Sequence, residues 1–81
     1  MPRPIHHIAA EIEVDWVKVN YAARPYLDAM SRLRSIDEDY GLDSARSVVA
    51  YFLSNASSYR GETARKVKAE LKAMLKEKGW G

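Results

Sequence analysis

Apolar residues recur every three or four positions through the first 33 residues of this chain. This spacing predicts an amphipathic helix, because an α-helix completes a turn in about 3.6 residues. The stripe consists of Ile5, Ile8, Ile12, Trp16, Val19, Ala23, Leu27, Met30 and Leu33. It keeps its phase through Pro25, whose ring removes a backbone donor and clashes with the carbonyl of Tyr21. The pattern favours one long helix over residues 5–35, kinked at 21–25, and a break with Pro25 starting a new helix is the alternative.

Two shorter helical patterns follow, over residues 44–57 and 62–78. Asp43 is suited to cap the first of them, because its carboxylate can accept free amides of the opening turn. Glu62 lies in the first turn of the second and Lys76 in its last, as the helix dipole favours. No segment alternates apolar and polar residues for long enough to indicate a strand. The sequence therefore predicts an all-α domain spanning residues 1–81, a small bundle of three to four helices.

The absence of cysteine restricts how such a short chain can be stabilised. At 81 residues it suits a single core, and neither a disulfide nor a thiolate metal site can reinforce that core. Charged residues make up 30% and hydrophobic residues 47%, which is typical of a globular domain and not of a disordered one. No apolar run approaches the roughly 20 residues of a membrane span, and no signal-peptide pattern is present. We expect a cytoplasmic protein without a membrane partner.

Charge is distributed unevenly along the chain despite a net value of +2. Residues 25–43 carry two positive and five negative side chains, whereas residues 61–81 carry six positive and three negative. Internal pairing or electrostatically matched self-association would account for this asymmetry. A basic surface that binds an anionic partner is the other interpretation.

No motif for catalysis or cofactor binding is found. His7, Glu11 and Asp15 would share one face of a helix and could ligate a divalent cation, but nothing specifies a fourth ligand. A solvated polar face explains the same three residues. The sequence has no nucleophile motif and no phosphate-binding glycine loop. We therefore expect no enzymatic activity, no metal, no cofactor and no small-molecule substrate.

Tyrosines close to arginines indicate a surface that binds protein. Trp16 and Phe52 fall on apolar stripes and are predicted to lie in the core, whereas several tyrosines fall beside the stripes. Exposed aromatic and arginine side chains are typical of protein interfaces. Alternatively, the tyrosines could cover a thin core and keep their hydroxyls in water. The predicted protein-binding residues are Tyr21, Arg24, Tyr51, Tyr59 and Arg60.

The basic end of the chain supports a second hypothesis, nucleic-acid binding. Residues 44–78 have the outline of a helix-turn-helix, and cations of the last helix could contact phosphates. The predicted nucleic-acid-binding residues are Arg60, Arg65, Lys66, Lys68 and Lys72. Glu62 and Glu70 lie on the same helix and weaken this reading.

The stretch from Asp43 to Ala56, followed by Arg60 to Arg65, resembles small uncharacterised helical proteins of actinobacterial phages. The similarity extends over most of the chain. It implies an accessory protein acting in the cytoplasm of an infected bacterium, and that group has no known activity to assign to particular residues. We expect a non-enzymatic interaction module that self-associates or binds a host or phage protein.

Overall fold

Four helices surround one apolar core in the computed structural model, which describes residues 3–40 and 43–77. The helices are α1 (Ile5–Asp15), α2 (Arg24–Met30), α3 (Ala45–Ser54) and α4 (Glu62–Glu77). Between α2 and α3, the short strands β1 (Asp39–Tyr40) and β2 (Asp43–Ser44) pair antiparallel, with Asp39 opposite Ser44. The predicted all-α class is confirmed.

The core is built from the apolar stripes that the sequence predicts. Every helix contributes side chains that are almost completely removed from solvent. The largest of them on the helices are Ile5, Ile8, Ile12, Leu27, Met30, Val49, Phe52, Val67 and Leu71. Burying one such side chain contributes about 1.5–3 kcal/mol, so this cluster is the main source of stability. No charged side chain is buried among the described residues.

The favoured prediction of one continuous, kinked helix over residues 5–35 is wrong, and the structure has the alternative, a break near Pro25. Helix α1 ends at Asp15 and α2 begins at Arg24, which makes Pro25 the second residue of a new helix. Asn20 organises the break: its carbonyl accepts from the amides of Ala23 and Arg24 at 2.9 and 3.0 Å, and its side chain accepts from Ala22 at 2.9 Å. The connection turns the Trp16 and Ala23 side chains inward, so the apolar stripe keeps its phase although the helix does not continue.

The segment after α2 returns to the start of α1. The carbonyls of Leu33 and Arg34 accept hydrogen bonds from the amides of His6 and Ile5, at 2.8 and 2.9 Å. These amides belong to the first turn, where a helix has no internal partner for them. Residues 33–34, predicted to be the end of a helix, therefore cap the beginning of α1 from outside.

Helix α3 is capped by Ser44 and not by Asp43. The Ser44 hydroxyl accepts from the Ser47 amide at 3.1 Å. Ser44 is also the last residue of β2, so the strand leads directly into the helix. Strands of two residues are too short to produce an alternating pattern.

The start of α4 agrees with the sequence. Gly61 has a φ of +118°, a conformation that L side chains rarely adopt, and Glu62 and Lys76 occupy the first and last turns. The last residue of the predicted range, position 78, lies outside the described residues.

Candidate functional site

Three tyrosines on two helices and one connection are half-buried or exposed. Tyr21 is 94% exposed and Tyr51 is 52% exposed, as predicted for a contact surface. The Tyr51 ring lies 5.4 Å from that of Tyr26, which is not among the predicted contact residues. We refer to Tyr21, Tyr26 and Tyr51 as the tyrosine patch.

Two asparagines hold the parts of this patch together. The Asn20 side chain donates to the carbonyl of Asn55 at 3.4 Å, and the Asn55 side chain donates to the carbonyl of Tyr51 at 2.8 Å. The connection that carries Tyr21 therefore lies against the last turn of the helix that carries Tyr51. No sequence spacing indicates this contact, because it joins segments more than thirty residues apart.

Two exposed valines lie at the end of α1 and just after it. Val17 is 84% exposed and belongs to the connection that also carries Tyr21, and Val14 is exposed at the end of α1. An exposed valine contributes little to the stability of the fold, because it buries little apolar surface. Val17 therefore extends the apolar surface of the connection that presents Tyr21.

Arg24, the predicted cationic contact residue, is held by two carboxylates. Its guanidinium forms ion pairs with Glu13 and with Asp28, the latter at 2.9 Å. Hydrogen bonds to these carboxylates raise the pKa of Arg24 further above its ordinary range. Arg24 joins α1 to α2 and is already paired with two carboxylates, so it does not offer a free charge to a partner.

The predicted exposure of Tyr59 is wrong. Its side chain is 2% exposed, and its ring stacks on Trp16 with centroids 4.8 Å apart and planes 12° from parallel. Burial, and then the nearby carboxylate of Asp15, raise the pKa of the Tyr59 hydroxyl well above its usual range. Tyr59 lies in the linker between α3 and α4, where helical periodicity does not report burial.

The predicted nucleic-acid-binding residues are divided between two sides of α4. The Lys68 ammonium donates to the carbonyl of Tyr59 at 2.6 Å, and Lys72 and Arg60 are close enough to lower its pKa. Lys66 instead lines a shallow groove with Arg3 and Glu70. Lys66 is thereby separated from the other cations of the predicted set.

The three residues that could ligate a metal according to the sequence do not share a site in the structure. Glu11 forms an ion pair with Arg3 at 2.7 Å, Asp15 lies near the Tyr59 hydroxyl, and His7 is exposed. No group of three or more His, Cys, Asp or Glu side chains suited to a metal ion occurs among the described residues.

Comparison with family models, with curated proteins and with solved structures finds no match for this chain. Within the described ranges, no helix combines the length and the apolar character that crossing a membrane requires. Any functional assignment therefore depends on the surfaces themselves.

The Arg3–Glu70 ion pair gives a testable pH dependence. Arg3 donates from Nε and Nη2 to the two oxygens of Glu70, at 2.9 and 2.7 Å, and these bonds hold the pKa of Glu70 below its ordinary 4.5. A carboxyl whose pKa is lower in the folded state stabilises the fold above the unfolded pKa and loses this effect as pH falls through the folded value. We expect Glu70→Gln to cost about 0.5–1 kcal/mol at neutral pH, since the pair is bidentate but partly exposed.

Urea denaturation of wild type and Glu70→Gln between neutral pH and about pH 3 measures this effect, and the two curves should converge at the acidic end. In an Arg3→Gln background the same substitution should cost less. A constant difference across the pH range would show that the effect does not come from the carboxylate charge.

Proposed function

We propose that this chain is a small non-enzymatic helical interaction module that binds another protein chain through the tyrosine patch. The observation that carries the proposal is the exposure of Tyr21, which projects almost entirely into solvent from a connection fixed by hydrogen bonds. Tyrosine is enriched at protein interfaces because its rigid ring buries a large area at low entropic cost, while its hydroxyl remains compatible with water.

The arrangement of the patch supports this role. Tyr26 and Tyr51 are in contact, so part of the aromatic surface is ordered before any partner binds. A preordered side chain loses less conformational entropy on association, which leaves more of the contact energy for affinity. Val17 adds exposed apolar area to the connection that carries Tyr21.

The bound protein is a second copy of the chain or a different polypeptide, and the resemblance to phage proteins suggests a host or phage protein in the bacterial cytoplasm. Self-association is tested by light scattering coupled to size-exclusion chromatography over a range of concentrations. The informative variant is Tyr21→Ser with Tyr51→Ser. Val14→Ala is the control, because Val14 is exposed at the end of α1 and belongs to no part of the patch.

If wild type self-associates, we expect the double tyrosine variant to be monomeric and the Val14 variant to behave as wild type. If wild type is monomeric, the three proteins are compared as baits in nuclease-treated bacterial lysate, and one partner should be lost only with the tyrosine variant. Equal retention of every partner by all three proteins would refute the proposal.

A further inference from the structure

A second surface of the molecule is formed by cations from α4 and by Arg60, two residues before it. Measured around the helix axis, Lys68, Lys72 and Lys76 follow one another at intervals of four residues, and Arg65 falls among them within a sector of about 80°. Arg60 lies close enough to Lys68 to lower the pKa of Lys68. We refer to these five cations as the basic flank: Arg60, Arg65, Lys68, Lys72 and Lys76.

The basic flank is not neutralised from within the described part of the chain. The ion pairs there involve Arg3, Arg24 and Arg46 as cations, and none of them reaches the basic flank. On α4, Glu70 is on the other side of the helix with Arg3, and Glu62 falls just outside the sector, at the first residue of the helix. Positive charges are therefore concentrated on one side of α4, whereas the other side carries charges of both signs.

One cation of the flank is fixed in position. The Lys68 ammonium donates to the Tyr59 carbonyl at 2.6 Å and lies 5.7 Å from the centre of the Tyr59 ring. Tyr59 is in turn stacked on Trp16 in the core. Partial burial and the neighbouring charges of Lys72 and Arg60 lower the pKa of Lys68, so keeping these groups together costs free energy in the absence of an anion.

We propose that the basic flank binds the phosphate backbone of nucleic acid without sequence specificity. From Arg65 to Lys76 it extends about 16 Å along the helix, which matches roughly five base pairs of duplex. Lysines supply point charges suited to phosphate and neutralise successive backbone groups. This surface is separate from the tyrosine patch, so the protein would hold a polypeptide and a nucleic acid through different residues.

Nucleic acid is favoured over a lipid surface by what the flank lacks. A helix that lies on a membrane presents large apolar side chains next to its cations. The large apolar side chains exposed in the described part of the chain are Val14, Val17, Tyr21 and Tyr51, and none of these is on α4. A purely charged surface fits a backbone of phosphates, where counterion release supplies the binding free energy.

The two sides of α4 provide a matched pair of variants for the test. Lys72→Glu and Lys66→Glu make the same change in net charge on the same helix, but only Lys72 belongs to the basic flank. Lys72→Glu also creates favourable four-residue spacings with Lys68 and Lys76, so we expect its melting temperature to be no lower than that of wild type. Loss of binding would then not be caused by unfolding.

The probe is a short fluorescein-labelled DNA duplex of arbitrary sequence, followed by fluorescence anisotropy at increasing salt. We expect wild-type affinity to fall linearly on logarithmic axes, with a slope of about −0.9 for each phosphate contacted. Lys72→Glu should weaken binding about tenfold or more at low salt and reduce the slope by about one, while Lys66→Glu changes affinity much less.

Three outcomes would overturn the proposal. The first is no binding by wild type at low salt, and the second is equal weakening by the two variants, which would indicate a general effect of net charge. The third is tighter binding to vesicles of anionic lipid than to the duplex. The variants Tyr21→Ser and Tyr51→Ser should retain wild-type affinity for the duplex, so this test is independent of the protein-binding role.

Discussion

We expect Tyr59→Ala to lower the free energy of unfolding by about 3–5 kcal/mol, a loss typical of removing a large buried aromatic side chain. The Tyr59 ring is 2% exposed, is stacked on Trp16, and lies beneath the Lys68 ammonium. Its removal opens a cavity between the connection after α1 and the linker before α4. A domain of this size is marginally stable, so such a loss is a large fraction of the total.

Urea denaturation followed by far-UV circular dichroism measures this loss. Tyr21→Ala is the matched control, because it removes the same side chain from a 94% exposed position and should change stability by less than about 0.5 kcal/mol. Similar unfolding curves for Tyr59→Ala and wild type would show that the stacked pair does not stabilise the fold. Because Tyr59 is structural, any binding deficit of a Tyr59 variant would reflect unfolding, and Tyr21 and Tyr51 are the informative positions for contact.

The elements that the sequence predicted well are those with helical periodicity and local chemistry. The apolar stripe of α4 and the charges at its two ends are set by residues three or four positions apart, and the structure reproduces them. Phe52 and Trp16 lie on stripes and are buried as expected. Within a helix, the spacing of apolar residues directly reports which side faces the core.

The errors occur where burial is decided by contacts distant in sequence. The apolar phase continues through residues 16–23 because this connection also packs inward, so periodicity could not separate a kinked helix from a broken one. Asn20 was the available signal, since asparagine before a proline-containing segment is suited to a turn and to capping the following helix. Tyr59 gave no such signal, because its burial depends on Trp16, 43 positions earlier in the chain.

The candidate surfaces were predicted in part and then divided by the structure. Tyr21 and Tyr51 lie on segments that contact each other. Arg60 lies near the cations of α4 instead. The place of Lys76 in the basic flank could have been predicted from the sequence, because Lys76 continues the four-residue spacing of Lys68 and Lys72. Tyr26 could not, because its contact with Tyr51 depends on how α2 packs against α3.

We expect Trp16→Ala to destabilise the fold by about 3–5 kcal/mol as well, because Trp16 is the first residue after α1 and its side chain is 8% exposed. Its ring stacks on Tyr59 and meets the Phe52 ring edge-on, at a centroid distance of 6.2 Å. Trp16 thereby joins the end of α1 to α3 and to the linker before α4. Val17→Ala, at the next and 84% exposed position, is the control and should change stability by less than about 0.5 kcal/mol.

A double-mutant cycle distinguishes the aromatic contact from simple burial. Trp16→Leu and Tyr59→Leu keep apolar bulk at both positions, so the variants should remain folded enough to measure by urea denaturation. Offset-stacked rings contribute about 0.5–1.5 kcal/mol beyond their buried area. The loss of stability in the double variant should therefore be smaller than the sum of the two single losses by that amount. Strict additivity would mean that Trp16 and Tyr59 stabilise the fold independently, and that the linker before α4 is not held in place by the end of α1.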